Sequence, residues 1–270
     1  MNTNRRLRSA ALATLALTVG LLGSACSSSG NGPEALDRPP VTTAQKADGS
    51  TSTSPDEVTE TTTAQAQAPA TQVYVVRSEH DLVLHEQPDN SSPTRTVAAT
   101  NSFGSKLALL VTNQQGGWLE VLVPGRPTGT KAWLDSAQNA DVELRSVSTH
   151  IQVDLEARTL TLFDNGQAVL STPVAIGSAE YPTPTGMFSV TDKLQDPNPD
   201  GAYGPYALGL SGRSEVLTDF AGGDGQIGIH GTNDPSSIGQ AVSHGCIRVP
   251  NEVITQLNEL LPLGTPVVVR

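Results

Sequence analysis

Hydrophobic and polar positions divide the chain into stretches of different character. From Gln72 to about Leu144 the apolar residues fall into short β-type runs: Val73-Tyr74-Val75-Val76, Leu82-Val83-Leu84, Lys106 to Val111, Trp118 to Leu122 and Lys131 to Leu134. Clusters of Pro, Asn, Gly and Asp separate them, and five such strands in about seventy residues predict a small barrel. Beyond Thr149, His150-Ile151-Gln152-Val153-Asp154-Leu155 alternates with period two, as a half-buried strand does. Leu160 to Phe163 and Ala168 to Leu170 flank Asp164-Asn165-Gly166, a strong hairpin signal. Asp192 to Tyr206 has no period and is rich in Pro, Gly and Asn, which suits a lid over a cleft. Tyr206 to Ser211 and Ile227 to His230 return to strand, the second delivering His230 at its end. Asn251 can cap a helix through Leu261 with Val253, Ile254, Leu257, Leu260 and Leu261 on one face; Pro262 and Gly264 stop it, and Val267 to Val269 closes as a strand. The pattern predicts a mainly β protein with one main helix.

The N-terminal stretch has no such pattern. Residues 1–26 carry Arg5, Arg6 and Arg8 ahead of an apolar run too short to span a bilayer, the form of an export signal. The run ends in Leu22-Gly23-Ser24-Ala25-Cys26, which resembles a bacterial lipoprotein signal with Cys26 as the lipidated residue; Gly23 stands where that pattern prefers Leu. The alternative is an ordinary secretory peptide. Residues 27–71 are rich in Ser, Thr, Ala, Gln and Pro and cannot bury enough surface to offset their ordering entropy. They read as a disordered tether of about forty residues, with a root-mean-square span of roughly 35–40 Å. The expected location is the outer face of the cytoplasmic membrane, held by the lipid and facing the cell wall.

Charge and cysteine usage narrow the chemistry. A net charge of −11 argues against a nucleic-acid partner, whose phosphates demand a basic footprint. Aromatic residues are 4% of the chain, so Val, Leu and Ile must build the cores. With Cys26 lipidated, Cys246 is the one remaining thiol of an exported protein, where paired cysteines are the norm. An unpaired extracytoplasmic thiol is an oxidation risk unless it is used.

Cys246 lies sixteen positions after His230, across a turn-rich excursion from Asn233 to Gly239. Such a loop can return an imidazole to a thiol whose ordinary pKa, about 8.5, leaves little thiolate at neutral pH. Gly245 allows positive φ and close approach to a carbonyl, and backbone N–H groups there suit an oxyanion, each worth roughly a hundred- to a thousandfold in rate. The helix starts several residues after Cys246, so its dipole helps the thiolate little.

Ile229-His230-Gly231-Thr232 followed by Ser243-His244-Gly245-Cys246-Ile247-Arg248 resembles the signature of the L,D-transpeptidase (YkuD-type) catalytic domain, as does Thr183-Pro184-Thr185-Gly186-Met187-Phe188. Arg248 stands where many members carry Asn. The similarity covers 149–270. For 72–146, Leu82-Val83-Leu84 before Gln87-Pro88, then Gly117-Trp118 and Ala132-Trp133-Leu134, are similar to a bacterial SH3-like domain. The resemblances imply an SH3-like barrel followed by a β-rich catalytic domain. The first module either binds cell wall or packs on the enzyme; alternatively it is a spacer whose tryptophans are core. His80 and His85 are expected at its surface.

For the site, the resemblance implies that Cys246 attacks a peptide carbonyl to form a thioester, with His230 as base, oriented by the backbone carbonyl of Gly231. Gly245 and Cys246 would supply oxyanion N–H groups, while His244 polarises the site or supports the loop. Ser243, Arg248, Thr232 and Tyr206 are substrate-side candidates; Ser243 would fix loop geometry, and Arg248 would hold a carboxylate or sit in a structural ion pair. The implied partners are peptidoglycan stem peptides as donor and acceptor, joined in a 3→3 crosslink with release of D-Ala, and no metal or organic cofactor is needed. Alternatives are hydrolysis or protein attachment at the same site, and a non-catalytic wall-binding lipoprotein. A metal held by His230, His244 and Cys246 is remote, because well-spaced further ligands are missing.

Overall fold

The computed structural model of the protein describes residues 72–219 and 223–270. The export signal, Cys26 and the tether lie outside the described residues.

The first seven strands form one antiparallel sheet in the order β3-β2-β6-β5-β4-β1-β7. They are β1 (Val73–Arg77), β2 (Leu82–His85), β3 (Thr94–Val97), β4 (Ala108–Gln115), β5 (Trp118–Leu122), β6 (Lys131–Asp135) and β7 (Glu143–Val147). The five expected runs are present. Two more strands, β3 and β7, complete the sheet at its ends with sequences too polar to stand out: β3 is Thr-Arg-Thr-Val and β7 buries only Val147. Val76, Leu82, Leu84, Leu109, Val121 and Leu134 are the centre of this module's core. His85, expected at the surface, is buried instead, edge-on to Trp118 with ring centroids 5.1 Å apart. It shares the outer face of β2 with exposed Val83, opposite Leu82 and Leu84, and is covered there by the Trp118 ring.

The second sheet holds eight strands in the order β10-β9-β8-β17-β12-β13-β14-β16. Their ranges are β8 (Thr149–Asp154), β9 (Thr159–Asp164), β10 (Gln167–Pro173), β12 (Gly186–Gln195), β13 (Tyr206–Arg213), β14 (Gln226–His230), β16 (Ile247–Arg248) and β17 (Pro266–Val269). A separate parallel pair joins β11 (Ile176–Gly177) to β15 (Ala241–Ser243). The Asn165-Gly166 hairpin forms as predicted between β9 and β10. Ile151, Leu160, Phe188, Val190, Leu208 and Ile229 anchor a single large core.

The helix α1 (Asn251–Leu260) turns Val253, Ile254 and Leu257 into that core, each worth roughly 2 kcal/mol of apolar burial. Leu260, expected on the same face, is 56% exposed, and Leu261 beyond the helix end is buried in its place. The helix stops at Leu260 because Leu261 is extended and Pro262 follows.

The two sheets share an apolar seam, since Leu263 packs against the large core and also against Val75, Ala108 and Val147 of the first module. Polar links reinforce it. Gly125 N–H donates to Ser211 O at 3.0 Å, and Thr128 Oγ1 both donates to Arg213 O and accepts from Arg213 N–H. The Asn101 amide donates to the Asp192 carboxylate at 2.6 Å. Asp192 belongs to β12, so the lid is shorter than its composition suggested: the strand runs to Gln195, and the irregular segment is 196–205.

Candidate active site

Strand pairing explains how residues far apart in the chain meet. Strand β16 pairs in parallel with β14, with Ile229 opposite Ile247 and His230 opposite Arg248. Cys246 therefore enters beside β14, where its Sγ faces the main-chain carbonyl of Gln226 at 4.0 Å. His230 and Cys246 both line a cleft of about 780 Å³.

The His230 ring is buried, and its Nδ1 lies 2.6 Å from Gly231 O. A carbonyl can only accept, so this bond puts the ring proton on Nδ1 and leaves Nε2 with its lone pair. This is the orientation implied by the resemblance. Burial lowers the His230 pKa to about 4; the Gly231 carbonyl opposes that shift and the Arg248 charge adds to it. Burial likewise pushes the Cys246 thiol up, while a hydrogen bond from Gly228 and the Arg248 charge pull it back. The resting pair is thus a neutral thiol and a neutral imidazole. Such a pair can hand a proton from sulfur to Nε2 only as the thiol attacks.

The loop bearing Cys246 is fixed from within. The Ser243 hydroxyl donates to Cys246 O at 2.5 Å and accepts from Gly245 N–H at 3.2 Å. Thr183 Oγ1 donates to Gly245 O at 2.9 Å and accepts from Gly177 N–H at 2.8 Å, so the Thr-Pro-Thr-Gly run buttresses the nucleophile loop. Gly245 takes φ +111°, a conformation that calls for glycine, and an added Cβ would also crowd Ile227 Cδ1 at 3.0 Å.

Two expectations change here. The Gly245 N–H points to Ser243 Oγ, leaving it no longer directed at an incoming oxyanion. Ser243 is 2% exposed with its hydroxyl engaged on both sides, so it fixes the loop geometry as expected but is not on the substrate side. Thr232 is corrected in the same way. It is 3% exposed, its N–H donates to Asn251 Oδ1 at 2.8 Å, and its Oγ1 closes a local turn with Asp234. Asn251 in turn does not cap α1. Pro250 occupies the cap position, and the Asn251 side chain clamps the segment after His230 instead.

Tyr206 sits at the start of β13 and packs against the core, away from the cleft lining. The aromatic residue at the imidazole is Tyr203, whose ring centroid lies 4.8 Å from that of His230 at an interplanar angle of 59°. Sequence reasoning had placed it inside the lid without a role. Its signal was Gly204 beside it: a Cβ at Gly204 would fall 2.7 Å from Gly231 Cα, so only glycine lets the lid close on the His-Gly pair. His244 is exposed and tilts over Tyr181 with centroids 4.9 Å apart, on the loop's outer side. Arg248 is half-buried and makes no ion pair among the described residues, which removes the structural ion-pair reading. Its charge acts on Cys246, His230 and Tyr203 together. Among the described residues no group of three His, Cys, Asp or Glu side chains is placed to hold a metal ion.

The L,D-transpeptidase catalytic domain model of the YkuD family matches residues 148–269. Putative L,D-transpeptidase YkuD of Bacillus subtilis is 39% identical over 125 residues, spanning 46% of this chain and 68% of that protein. The protein of the same description from Bacillus licheniformis is 39% identical over 122 residues, spanning 45% and 66%. A solved structure, the catalytic domain from an E. faecium L,D-transpeptidase, is 28% identical with a TM-score of 0.34, covering 45% of this chain and 96% of that one. By its 39% identity over 68% of the Bacillus subtilis protein, the chain belongs to the L,D-transpeptidase family.

Proposed function

We propose that this protein is a peptidoglycan L,D-transpeptidase that works through a Cys246 thioester. The observation that carries the reading is the His230 Nδ1···Gly231 O contact of 2.6 Å, which leaves a neutral imidazole with its Nε2 lone pair in the cleft that Cys246 also lines. Cys246 Sγ attacks the carbonyl of the third residue of a donor tetrapeptide stem as His230 Nε2 takes the thiol proton. The tetrahedral oxyanion is met by the Cys246 N–H, with the Arg248 charge nearby. Collapse breaks the bond to the terminal D-Ala, whose amine takes the proton from the imidazolium. An amine from a second stem then attacks the thioester as His230 accepts its proton, and the C–S bond breaks to release the Cys246 thiolate, which takes that proton from the imidazolium. The product is a 3→3 crosslink.

The export signal and tether read from residues 1–71 suit this substrate, because they would place the cleft outside the membrane at the end of a flexible leash. The SH3-like assignment of the first module and lipidation at Cys26 belong to the same proposal.

Intact-protein mass spectrometry with a disaccharide-tetrapeptide tests it. The expected result is an adduct equal to the donor minus D-Ala, absent in Cys246→Ala, and released to a crosslinked dimer by an amine acceptor. An adduct released only to water would replace transpeptidation with carboxypeptidase action. Donor binding with no adduct in the wild type would overturn the reading.

A further inference from the structure

The cleft that holds Cys246 and His230 is not built by the catalytic domain alone. Ser102 and Phe103, from the loop between β3 and β4 of the first module, form part of its wall, across from Leu194, Pro197 and Ile227. We propose that Phe103 is a donor-binding residue, supplied by the N-terminal module to the catalytic cleft. The proposal rests on the transpeptidase reading above and names a part of the site that the catalytic domain lacks.

Three observations carry it. First, Phe103 is 54% exposed, an aromatic side chain left in water in a chain that has four phenylalanines in all. A ring of this size burying its face on a ligand is worth far more than its free exposure costs.

Second, the loop that presents it is rigid. Asn101 Oδ1 accepts from both Phe103 N–H and Ser105 N–H at 3.0 Å, and two main-chain bonds, Asn101 N–H to Ser105 O and Gly104 N–H to Asn101 O, close the turn. A backbone held this way needs little further ordering when the ring binds.

Third, the loop is pinned to the catalytic sheet at one buried point. Asn101 Nδ2 donates to Asp192 Oδ1, and Asp192 is fully buried. The other carboxylate oxygen accepts from Gln226 Nε2 at 2.8 Å and from Thr191 Oγ1 at 2.8 Å. Gln226 is itself the residue whose carbonyl faces Cys246 Sγ. One anchor therefore registers both the thiol and the Phe103 ring to the same strand end.

The occupant follows from continuity. Phe103 lines the same cleft as Cys246, together with Leu194, Pro197, Leu208 and Ile227, so the ring would pack on an apolar face of the donor that Cys246 holds as a thioester. That face belongs to the stem peptide or to the sugar it hangs from, and donors with and without the disaccharide separate the two.

The test measures the rate of Cys246 acylation against donor concentration on the intact chain, for tetrapeptide and disaccharide-tetrapeptide. Phe103→Ala should raise the half-saturating concentration about tenfold and leave the maximal rate within about twofold. Phe103→Tyr should restore it. Alkylation of Cys246 by iodoacetamide, too small to need the wall, should be unchanged in both variants. A rise confined to the disaccharide donor assigns the ring to the sugar, and a rise in both assigns it to the stem. Unchanged half-saturation with both donors, while the wild type still acylates, overturns the proposal and spares the transpeptidase reading. A wild type that forms no adduct overturns both.

Discussion

Two buried ionisable sites meet at β14, and they resolve burial in opposite ways. Asp192 is enclosed completely, and burial alone would raise its pKa, yet hydrogen bonds from Asn101, Ser105, Gln226 and Thr191 more than offset that and hold it below the usual carboxylate value. His230 is 5% exposed with one main-chain partner, and burial wins, leaving it neutral with a pKa of about 4. The difference is donor count. A buried charge survives where several groups solvate it, and a buried base with one partner stays neutral with a lone pair to spare. The first arrangement locks two modules together, whereas the second is suited to moving a proton.

Removing the proton acceptor should have the largest effect. His230→Gln keeps a polar group near the Gly231 carbonyl but removes the base, and should slow Cys246 acylation by about 10²- to 10⁴-fold with the fold intact by circular dichroism. Retention of more than about a tenth of the rate would move the base elsewhere.

Asp192→Asn should cost stability before it costs chemistry. The amide turns a donor toward Asn101 or Gln226, both of which need an acceptor, and the loss should be about 3 kcal/mol in urea unfolding. Acylation of the folded variant should fall by less than about tenfold. A larger rate loss with unchanged stability would make Asp192 part of the chemistry, against the contrast drawn here.

The pH dependence of stability sharpens the same contrast by a smaller margin. The His230 pKa is depressed in the fold, so between pH 6.5 and about 4 the unfolded chain binds the proton that the native chain refuses. Stability is therefore fully present above pH 6.5 and declines by roughly 3 kcal/mol as pH falls to about 4. Asp192, also depressed, keeps its contribution down to its ordinary value near 3.8 and loses it only below that. His230→Gln should flatten the upper part of the curve and leave the lower part in place.

Much of this was legible in the sequence, and the missing parts share a physical reason. Local pattern carried the hairpin at Asn165-Gly166, the strand ending at His230, and the helix after Pro250, because each depends on spacing within a few residues. That His230 and Cys246 line one cleft was legible because a turn-rich stretch of sixteen positions separates them in the chain. Composition around Asp192 reads as the start of a lid, since nothing near it in the chain says that its partner Asn101 lies 91 residues away. The type of Asn251 suits a helix cap locally, while its actual partner, Thr232, is 19 residues upstream. Tyr203 and Tyr206 could not be ranked from composition, and strand register decided between them. Ser243, Thr232 and His85 show the same limit, since polarity in a motif does not reveal which side of the loop or strand it faces.

The central claim is that Cys246 and His230 wait as a neutral pair and ionise only during attack. The second-order rate constant for acylation by the disaccharide-tetrapeptide, followed by intact mass from pH 4 to 9, tests it most directly. The account predicts an acid limb near pH 4, no inflection at 6.5, and a plateau through neutrality, because the imidazole is already unprotonated there and the thiol remains protonated. A rate that rises through pH 6.5 with an ordinary histidine profile, or a thiolate titrating below pH 7, would contradict it.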